Sequence, residues 1–198
     1  PRASTPEPPM SRNTRLSGAE RMRAIALACA LVLLTGTASA RTSPPPLPPT
    51  VMSLAPTMKA QGGGLLTFFG ISVYDGWYWS AAPGWPQAGP YALDLHYHRN
   101  LDGAKIAERS VDEIARLGFG NTADRARWGA AMTRVFPDVK PGDRLTGIDV
   151  GNSVVRYFHN GKPIGDIGDA GFAEAFFGIW LHPKTSRADF RQKLLGTP

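Results

Sequence analysis

The apolar residues of the chain change their spacing near residue 100, and this change restricts the folds that the chain can adopt. Residues 91–98 alternate strictly, with one face formed by Tyr91, Leu93, Leu95 and Tyr97 and the other by Asp94, His96 and His98. This pattern is typical of a half-buried strand. From Asp102 to Gly118 the apolar residues recur at helical spacing, between a good N-cap and a good C-terminal glycine. The chain therefore combines strands and amphipathic helices.

The remaining elements follow from turn and cap residues. Residues 65–80 are rich in β-formers and predict two strands separated near Asp75-Gly76, while the preceding glycines, residues 62–64, are interpreted as a hinge. A second helix is predicted from Asn121 to a stop before Pro137. Two hairpin signals, Gly151-Asn152 and Asn160-Gly161, predict three consecutive antiparallel strands.

Two more helices are predicted near the C-terminus. Asp169 is expected to cap a helix that carries Phe172, Phe176, Phe177 and Trp180, and Ser186 begins a last helix that Gly196 ends. The order of elements predicts an α+β fold in which helices pack on one face of a mostly antiparallel sheet.

The N-terminal region reads as a leader. Residues 1–40 hold Arg21 and Arg23, an apolar stretch of residues 24–34 and a small-residue cleavage signal that ends at Ala40. These features predict an upstream extension with a secretory signal peptide and place the mature protein in the periplasm or outside a bacterial cell. The apolar stretch is shorter than the roughly 20 residues that span a bilayer, so the mature chain is not expected to cross a membrane.

A proline-rich stretch at residues 41–50 predicts a semi-rigid linker, and residues 51–198 then form one domain. The only cysteine, Cys29, lies in the leader, which leaves the mature protein without a thiol nucleophile or a disulfide. The formal charge of +6 comes without a run of basic residues. Nucleic-acid binding is therefore not expected.

Cofactor sites have weak signals. His96 and His98 share a strand face, as two metal ligands would, with His159 or His182 as a possible third. Two histidines on a solvated strand face need no metal, and no carboxylate motif completes a site. No phosphate-binding loop follows the glycine triplet. We expect neither a metal nor another cofactor.

The segment Arg156 to Gly161 is the densest polar and aromatic cluster of the chain. Strand alternation places Arg156 and Phe158 on one side and Tyr157 and His159 on the other. If Arg156 faces inward, it requires an anionic partner or a ligand carboxylate; if it faces outward, it is a solvated charge. An aromatic helix such as the one that Asp169 is expected to cap is more often core than pocket wall, although an apolar pocket between helices and sheet would be lined in the same way.

Four segments taken together resemble the bacterial chalcone isomerase-like proteins. They are Leu-Leu-Thr-Phe-Phe-Gly-Ile-Ser-Val-Tyr74, Phe-Pro-Asp-Val-Lys-Pro-Gly-Asp143, Tyr-Phe-His-Asn-Gly161, and Ala-Phe-Phe-Gly-Ile-Trp-Leu-His-Pro-Lys-Thr185 with Leu-Leu-Gly196. The resemblance covers roughly residues 50–196. It implies an open-faced β-sandwich with a large antiparallel sheet and a helical layer. Plant members cyclise a chalcone to a flavanone without a cofactor in a cleft between sheet and helices, and related members that lack this activity bind fatty acids.

The catalytic residues of the plant members are not found at the matching positions. The alignment places Phe69 and Ile179 where those enzymes have threonines, and Asp102 and Arg109 where they have a tyrosine and an asparagine. Their arginine has no counterpart in residues 51–64. The resemblance therefore implies no catalytic residue in this chain.

The sequence predicts an exported, non-catalytic domain that binds a small apolar or fatty-acid-like ligand. The candidate ligand-binding residues are Tyr74, Arg156, Tyr157, His159 and Phe177. One alternative is an intramolecular lyase or isomerase with a rearranged site that uses Arg156, Tyr157 or His159. A second alternative is an envelope protein whose Trp77, Trp79 and Trp85 surface binds an unknown protein partner.

Overall fold

A computed structural model describes residues 43–86 and 89–197, and the predicted leader lies outside these ranges. The strands are β1 (Lys59–Phe68), β2 (Ile71–Ser80), β3 (Tyr91–Tyr97), β4 (Arg144–Asp149), β5 (Val155–His159) and β6 (Lys162–Ile167). The described helices are α1 (Pro49–Met52), α2 (Gly103–Leu117), α3 (Thr122–Val135), α4 (Phe172–Leu181) and α5 (Ala188–Leu195). Residues 42–198 form a compact unit with its own buried core.

The six strands form one antiparallel sheet in which each strand pairs with the next along the chain. Helices α2 and α3 connect β3 to β4, and α4 and α5 follow β6. These helices form a layer on one face, where α5 packs on β1 and β2 and α3 packs on β6. The predicted α+β fold, an open-faced β-sandwich with a helical layer, is confirmed.

The first two long helices begin and end where their caps predict. The Asp102 side chain accepts a hydrogen bond from the backbone N–H of Lys105, and Gly118 ends α2 with a φ of 84°. Asn121 and Asp124 form a reciprocal capping box at the start of α3, and that helix ends before Pro137. Strong local signals therefore set the bounds of both helices.

The start of α4 differs from its prediction. Gly171, with a φ of 76°, is the N-cap, and no side chain caps the helix. Asp169 instead lies 3.0 Å from the Nε of Arg127 on α3. The carboxylate that was predicted as a cap therefore joins two helices.

The first hairpin also differs from its prediction. Its turn lies at Phe69 and Gly70, whose φ angles are 47° and 75°, and not at Asp75-Gly76. Gly76 lies inside β2, where a Cβ would come within 2.8 Å of the Phe190 ring. The glycine is thus required by the packing of α5 and not by a turn.

The glycine triplet, residues 62–64, is part of β1 and is not a hinge. A Cβ on Gly62 would lie 2.7 Å from the backbone nitrogen of Gly196 and 2.9 Å from the carbonyl oxygen of Leu194. Only a glycine lets the C-terminal end of α5 approach the strand so closely.

The sheet face opposite the helices is partly covered by residues 46–58, which we call the covering segment. Arg144 Nη2 donates to the carbonyl oxygen of Pro46 at 3.0 Å, and Thr50 Oγ1 donates to that of Gly161 at 2.7 Å. Its buried side chains are Leu47, Val51, Ala55 and Met58, which cluster with Trp77, Trp79, Ala92, Ile148 and Phe158. The predicted linker is therefore wrong for residues 46–50, which pack against the domain.

Candidate functional site

A continuous layer of aromatic rings separates the sheet from the helices. The Tyr157 ring of β5 lies 5.1 Å from the Phe136 ring and 5.3 Å from the Phe176 ring of α4, centroid to centroid. Phe176 in turn lies 5.3 Å from Trp180. The edge-to-face geometry of these pairs stabilises the layer beyond simple burial.

Tyr157 carries a polar group into the middle of this ring layer. The residue is 1% exposed, and its hydroxyl has no hydrogen-bond partner among the described residues. Burial raises the pKa of Tyr157 well above its ordinary value, so the phenol stays neutral and keeps its proton. A Cβ on Gly147, the residue opposite it on β4, would lie 3.2 Å from the Tyr157 ring. The glycine therefore gives this ring its room over the sheet.

Tyr74 lies in the same layer and on the same face of the sheet, but on β2, three strands away from Tyr157. Its hydroxyl accepts a hydrogen bond from Trp180 Nε1 at 2.8 Å, and its ring lies 5.6 Å from that of Tyr97. Burial raises the pKa of Tyr74 to about 12, although the Trp180 hydrogen bond opposes this shift. Tyr74 thus anchors the C-terminal end of α4 to β2, whereas the Tyr157 hydroxyl has no partner among the described residues.

Phe177 completes the predicted set in the ring layer. It is fully buried and packs edge-to-face on Tyr91 with 4.7 Å between ring centroids. Burial, followed by the charge of Asp149, raises the pKa of Tyr91. Three of the five predicted ligand-binding residues, Tyr74, Tyr157 and Phe177, therefore lie in one layer between sheet and helices.

Arg156 lies on the opposite face of the sheet from Tyr157, as strand alternation requires. Its Nε is 3.4 Å from the Asp166 carboxylate on β6, and the two side chains are 41% and 52% exposed. Of the two orientations left open by the sequence, the structure shows the partly solvated one. Arg156 does not reach the ring layer.

His159 lies at the end of β5 in a polar cleft of about 640 Å³. Its Nε2 is 3.4 Å from the Asp143 carboxylate. A hydrogen bond from Asn160 lowers the pKa of Asp143. The cleft is lined by Asn100, Leu101, Asp102, Asp138, Val139, Lys140, Asp143, His159 and Asn160. Its lining is rich in carboxylates, which makes it unsuited to a fatty acid.

A buried ionic network on the face of the covering segment was not predicted. Asp94 has no exposed surface and accepts hydrogen bonds from Arg144 Nε and Thr146 Oγ1 at 2.8 and 2.7 Å. His96 Nε2 lies 2.9 Å from the same carboxylate. Burial alone would raise the pKa of Asp94, but the hydrogen bonds from His96 and Arg144 outweigh it and lower the pKa. Alternation in β3 and β4 puts these polar residues on one face, which was the available signal.

The two histidines proposed as alternative metal ligands each have a carboxylate partner. His98 Nε2 lies 2.8 Å from Asp75, and His96 pairs with Asp94. Across residues 43–86 and 89–197, no group of three His, Cys, Asp or Glu side chains has the geometry of a metal site. The absence of a cofactor stays a prediction from the sequence.

The positions aligned with the plant catalytic residues do not surround one cavity. Phe69 is 89% exposed at the tip of the first hairpin, and Ile179 is buried in the helix layer. Asp102 is the N-cap of α2, and Arg109 pairs with Glu113 on that helix.

The predicted tryptophan surface is wrong. Trp77 and Trp79 are 5% and 7% exposed because the covering segment packs on them. Trp85 instead packs on the helix face of the sheet, where its ring lies 6.4 Å from that of His182. Among the residues that the structure describes, the exposed large apolar side chains are those of Leu65, Phe68, Phe69 and Ile71, around the first turn.

None of the helices within residues 43–86 and 89–197 has the length and apolar character that a bilayer crossing requires.

Three comparisons place the chain among known proteins. A curated relative, an uncharacterized protein of Haemophilus influenzae, is 33% identical over 110 residues, which are 54% of this chain and 52% of that protein. The chain thus spans about half the length of this relative. A solved fatty-acid binding protein of Arabidopsis thaliana superposes with a TM-score of 0.55 at 10% identity, over 70% of this chain and 87% of that one. That likeness shows a shared fold.

The family comparison covers most of the chain. Residues 47–196 match the sequence profile described as chalcone isomerase-like, a range that contains all six strands and the ring layer. It also contains nearly all of the covering segment, which the sequence alone had assigned in part to a linker. The chain belongs to the chalcone isomerase-like family.

Proposed function

We propose that this protein is a non-catalytic carrier that binds a small apolar or fatty-acid-like ligand between its sheet and helices. The observation that carries the proposal is the Tyr157 hydroxyl, which is buried in a layer of apolar rings without a partner among the described residues. A buried hydroxyl almost always finds a partner, and leaving it unpaired costs about 1–3 kcal/mol. A carboxylate that accepted its proton would remove this cost.

The chemistry around Tyr157 fits an acid with an apolar tail. The phenol stays neutral because burial raises its pKa, so it can donate to a carboxylate over the physiological pH range. The rings of Phe136 and Phe176 provide apolar surface next to it. Since these rings are in mutual contact, an acyl chain would enter by rotation of α4 side chains. Trp180 is partly exposed and is the residue of this layer best placed to open.

The catalytic alternative is disfavoured by the positions of its three residues. Arg156 lies on the face opposite Tyr157, and His159 lies in the polar cleft, paired with Asp143. Enone cyclisation needs donors that converge on one carbonyl oxygen. Among the described residues, the buried hydroxyl of the ring layer that lacks a hydrogen-bond partner is that of Tyr157, whereas the Tyr74 hydroxyl is bonded to Trp180. A single free donor binds a head group without providing a reaction.

We further propose that the protein is exported. The support is the leader pattern of residues 1–40, together with a mature chain that has no cysteine. N-terminal sequencing of the exported protein is expected to begin at Arg41.

Mass spectrometry of the extracted ligand tests the carrier function. The full chain is expressed in a bacterial host, and the protein from the periplasmic fraction is purified, denatured and extracted. We expect a fatty acid or another small apolar acid in stoichiometric amount. An extract without one, combined with no binding of added palmitate in calorimetry, would refute the carrier proposal.

Tyr157→Phe gives the sharper form of this test, because ligand affinity and stability should change in opposite directions. Removing an unpaired buried hydroxyl is expected to raise the free energy of unfolding of the ligand-free protein by about 1 kcal/mol. The same change should weaken palmitate binding about tenfold, since a hydrogen bond to a charged group contributes about 1.5–3 kcal/mol. Tyr91→Phe is the matched control: its hydroxyl bonds Asp149, so its loss should lower stability and leave palmitate binding unchanged.

A further inference from the structure

The tip of the first hairpin exposes large apolar side chains that the fold does not use. Phe69 is 89% exposed, Phe68 57% and Ile71 46%. The two phenyl rings pack on each other at 4.5 Å between centroids, so they form one apolar knob. The ten residues 65–74 contain no charged side chain. Such an exposed β-prone segment promotes aggregation unless it is covered by a binding partner.

The backbone conformation at the tip is also unfavourable for Phe69. Phe69 has a φ of 47° and is followed by Gly70 with a φ of 75°, the pattern of a two-residue hairpin turn. Asn or Asp is the favoured residue at the first of these positions, because a bulky side chain resists the left-handed region. An aromatic residue there lowers stability and forms no core contact in return. An exposed aromatic residue in a strained conformation suggests that the tip has a binding role.

The hairpin projects beyond the rest of the sheet. Pairing of β2 with β3 reaches Tyr74 opposite Tyr97, and the last backbone bond runs from His98 N to Val73 O at 2.9 Å. The tip beyond Val73 is therefore about three residues long, or roughly 10 Å. This length matches the 5–10 Å to which apolar groups enter the boundary of a bilayer.

Basic side chains surround the base of the projecting hairpin. Arg187 Nη1 donates to the carbonyl oxygen of Thr67 at 2.7 Å, and Lys193 Nζ to that of Leu65 at 3.4 Å. Arg99 directly follows His98 at the neighbouring end of β3. The nearby carboxylates are already paired, Asp189 with Arg187 and Asp75 with His98. In the described part of the chain, neither Lys193 nor Arg99 forms a salt bridge with a carboxylate, and both are exposed, so they remain available to an anionic surface.

We propose that the hairpin tip docks this protein on an anionic lipid bilayer, with Phe68 and Phe69 inserted and Lys193 and Arg99 at the headgroups. An apolar knob above a basic base is the arrangement that membrane-surface proteins use. A protein partner is the poorer match, because a convex tip of four side chains offers far less than the roughly 800 Å² per partner of a stable interface. The docking goes beyond the proposed carrier function and does not depend on an interior ligand.

Vesicle co-sedimentation tests the proposal on a chain that starts at Ser43, within the compact unit described above. The vesicles contain equal parts of phosphatidylglycerol and phosphatidylcholine, with pure phosphatidylcholine as the neutral comparison. Phe69→Asn is the main variant, because Asn-Gly suits this turn and should raise the melting temperature while it removes the apolar tip. We expect its vesicle partition coefficient to fall about tenfold or more, since it loses a buried phenyl group.

A second pair of variants tests the contribution of the basic side chains to vesicle binding. Lys193→Gln should weaken binding to the anionic vesicles about fivefold and leave binding to neutral vesicles unchanged. Lys162→Gln, on β6 at the far edge of the sheet, should change neither. Equal vesicle binding by wild type and Phe69→Asn would overturn the proposal. It would also be overturned if the wild-type chain failed to bind vesicles and instead formed a dimer that Phe69→Asn abolished, since the tip would then join two copies.

Discussion

Asp94 shows how much depends on one buried carboxylate. It has no exposed surface, and Arg144, Thr146 and His96 all contact it. Removing one partner of a buried ion pair typically costs about 3–5 kcal/mol, because the other charge is left without compensation. We therefore expect Asp94→Asn to lower the free energy of unfolding by about 3 kcal/mol at pH 7, measured by urea denaturation.

The matched control for Asp94→Asn is Asp166→Asn. Asp166 also pairs with an arginine, Arg156, but both side chains are about half exposed. Exposed pairs contribute about 1 kcal/mol or less. A similar loss of stability in the two variants would show that burial of the Asp94 network has no energetic consequence.

The pH dependence of Asp94→Asn has a defined direction. The pKa of Asp94 is lower in the folded protein than its ordinary value, so its contribution is fully present above about pH 4 and is lost as the pH falls through the folded-state pKa. The stability difference between wild type and Asp94→Asn should therefore narrow below pH 4. The other aspartates with lowered pKa values are common to both proteins and cancel in this difference.

The sequence also predicted that Arg156 and Tyr157 face opposite sides of their strand, but not which of the two is buried. Arg156 and Tyr157 had to face opposite sides of β5, which the structure shows. Which side was buried depended on Phe136 and Phe176, whose rings meet Tyr157 from other elements. Two of the five candidate residues, Arg156 and His159, were grouped with the ring layer because they are close in sequence. Their partners, Asp166 and Asp143, could not be assigned from a local pattern.

At the scale of elements, the contact between β1 and α5 depends on a glycine. A Cβ on Gly62 would meet backbone atoms of Lys193, Leu194 and Gly196, and backbone cannot move aside as a flexible side chain can. We expect Gly62→Ala to lower the free energy of unfolding by about 2 kcal/mol, in the range of overpacked sites. Chemical denaturation measures this change.

Gly89→Ala provides the comparison for Gly62→Ala, because nothing lies within 4 Å of a Cβ at that position. Its effect should stay within about 0.5 kcal/mol. If Gly62→Ala were equally neutral, α5 would not be held against β1 as closely as the structure has it.

The elements whose bounds were predicted best have local signals. The caps Asp102 and Gly118 fix α2 because their hydrogen bonds form within the helix and its first turns. The first hairpin was misplaced because Asp75-Gly76 has the composition of a turn, whereas the true turn at Phe69-Gly70 lies inside an apolar run. Gly76 is explained by Phe190, more than a hundred residues away, and no local rule includes such a contact.

At the scale of the whole molecule, the sheet has two faces with different roles. One face carries the ring layer and the helices, and the other carries the Asp94 network and a smaller apolar cluster. The fold class and the helical layer followed from hydrophobic periodicity and from the resemblance. The covering segment did not, because its prolines have the composition of a linker while its burial depends on Trp77, Trp79 and Phe158 in distant strands.

The covering segment should therefore stabilise the domain. A chain that starts at Lys59 lacks Leu47, Val51, Ala55 and Met58, and it uncovers Trp77 and Trp79. We expect a lower melting temperature, a red-shifted tryptophan emission and a tendency to aggregate, compared with a chain that starts at Ser43. Equal melting temperatures and emission spectra for the two chains would contradict this role. The Ser43 chain keeps the hydrogen bond from Arg144 to Pro46 and the apolar contacts, so the comparison isolates what the segment contributes to the second face.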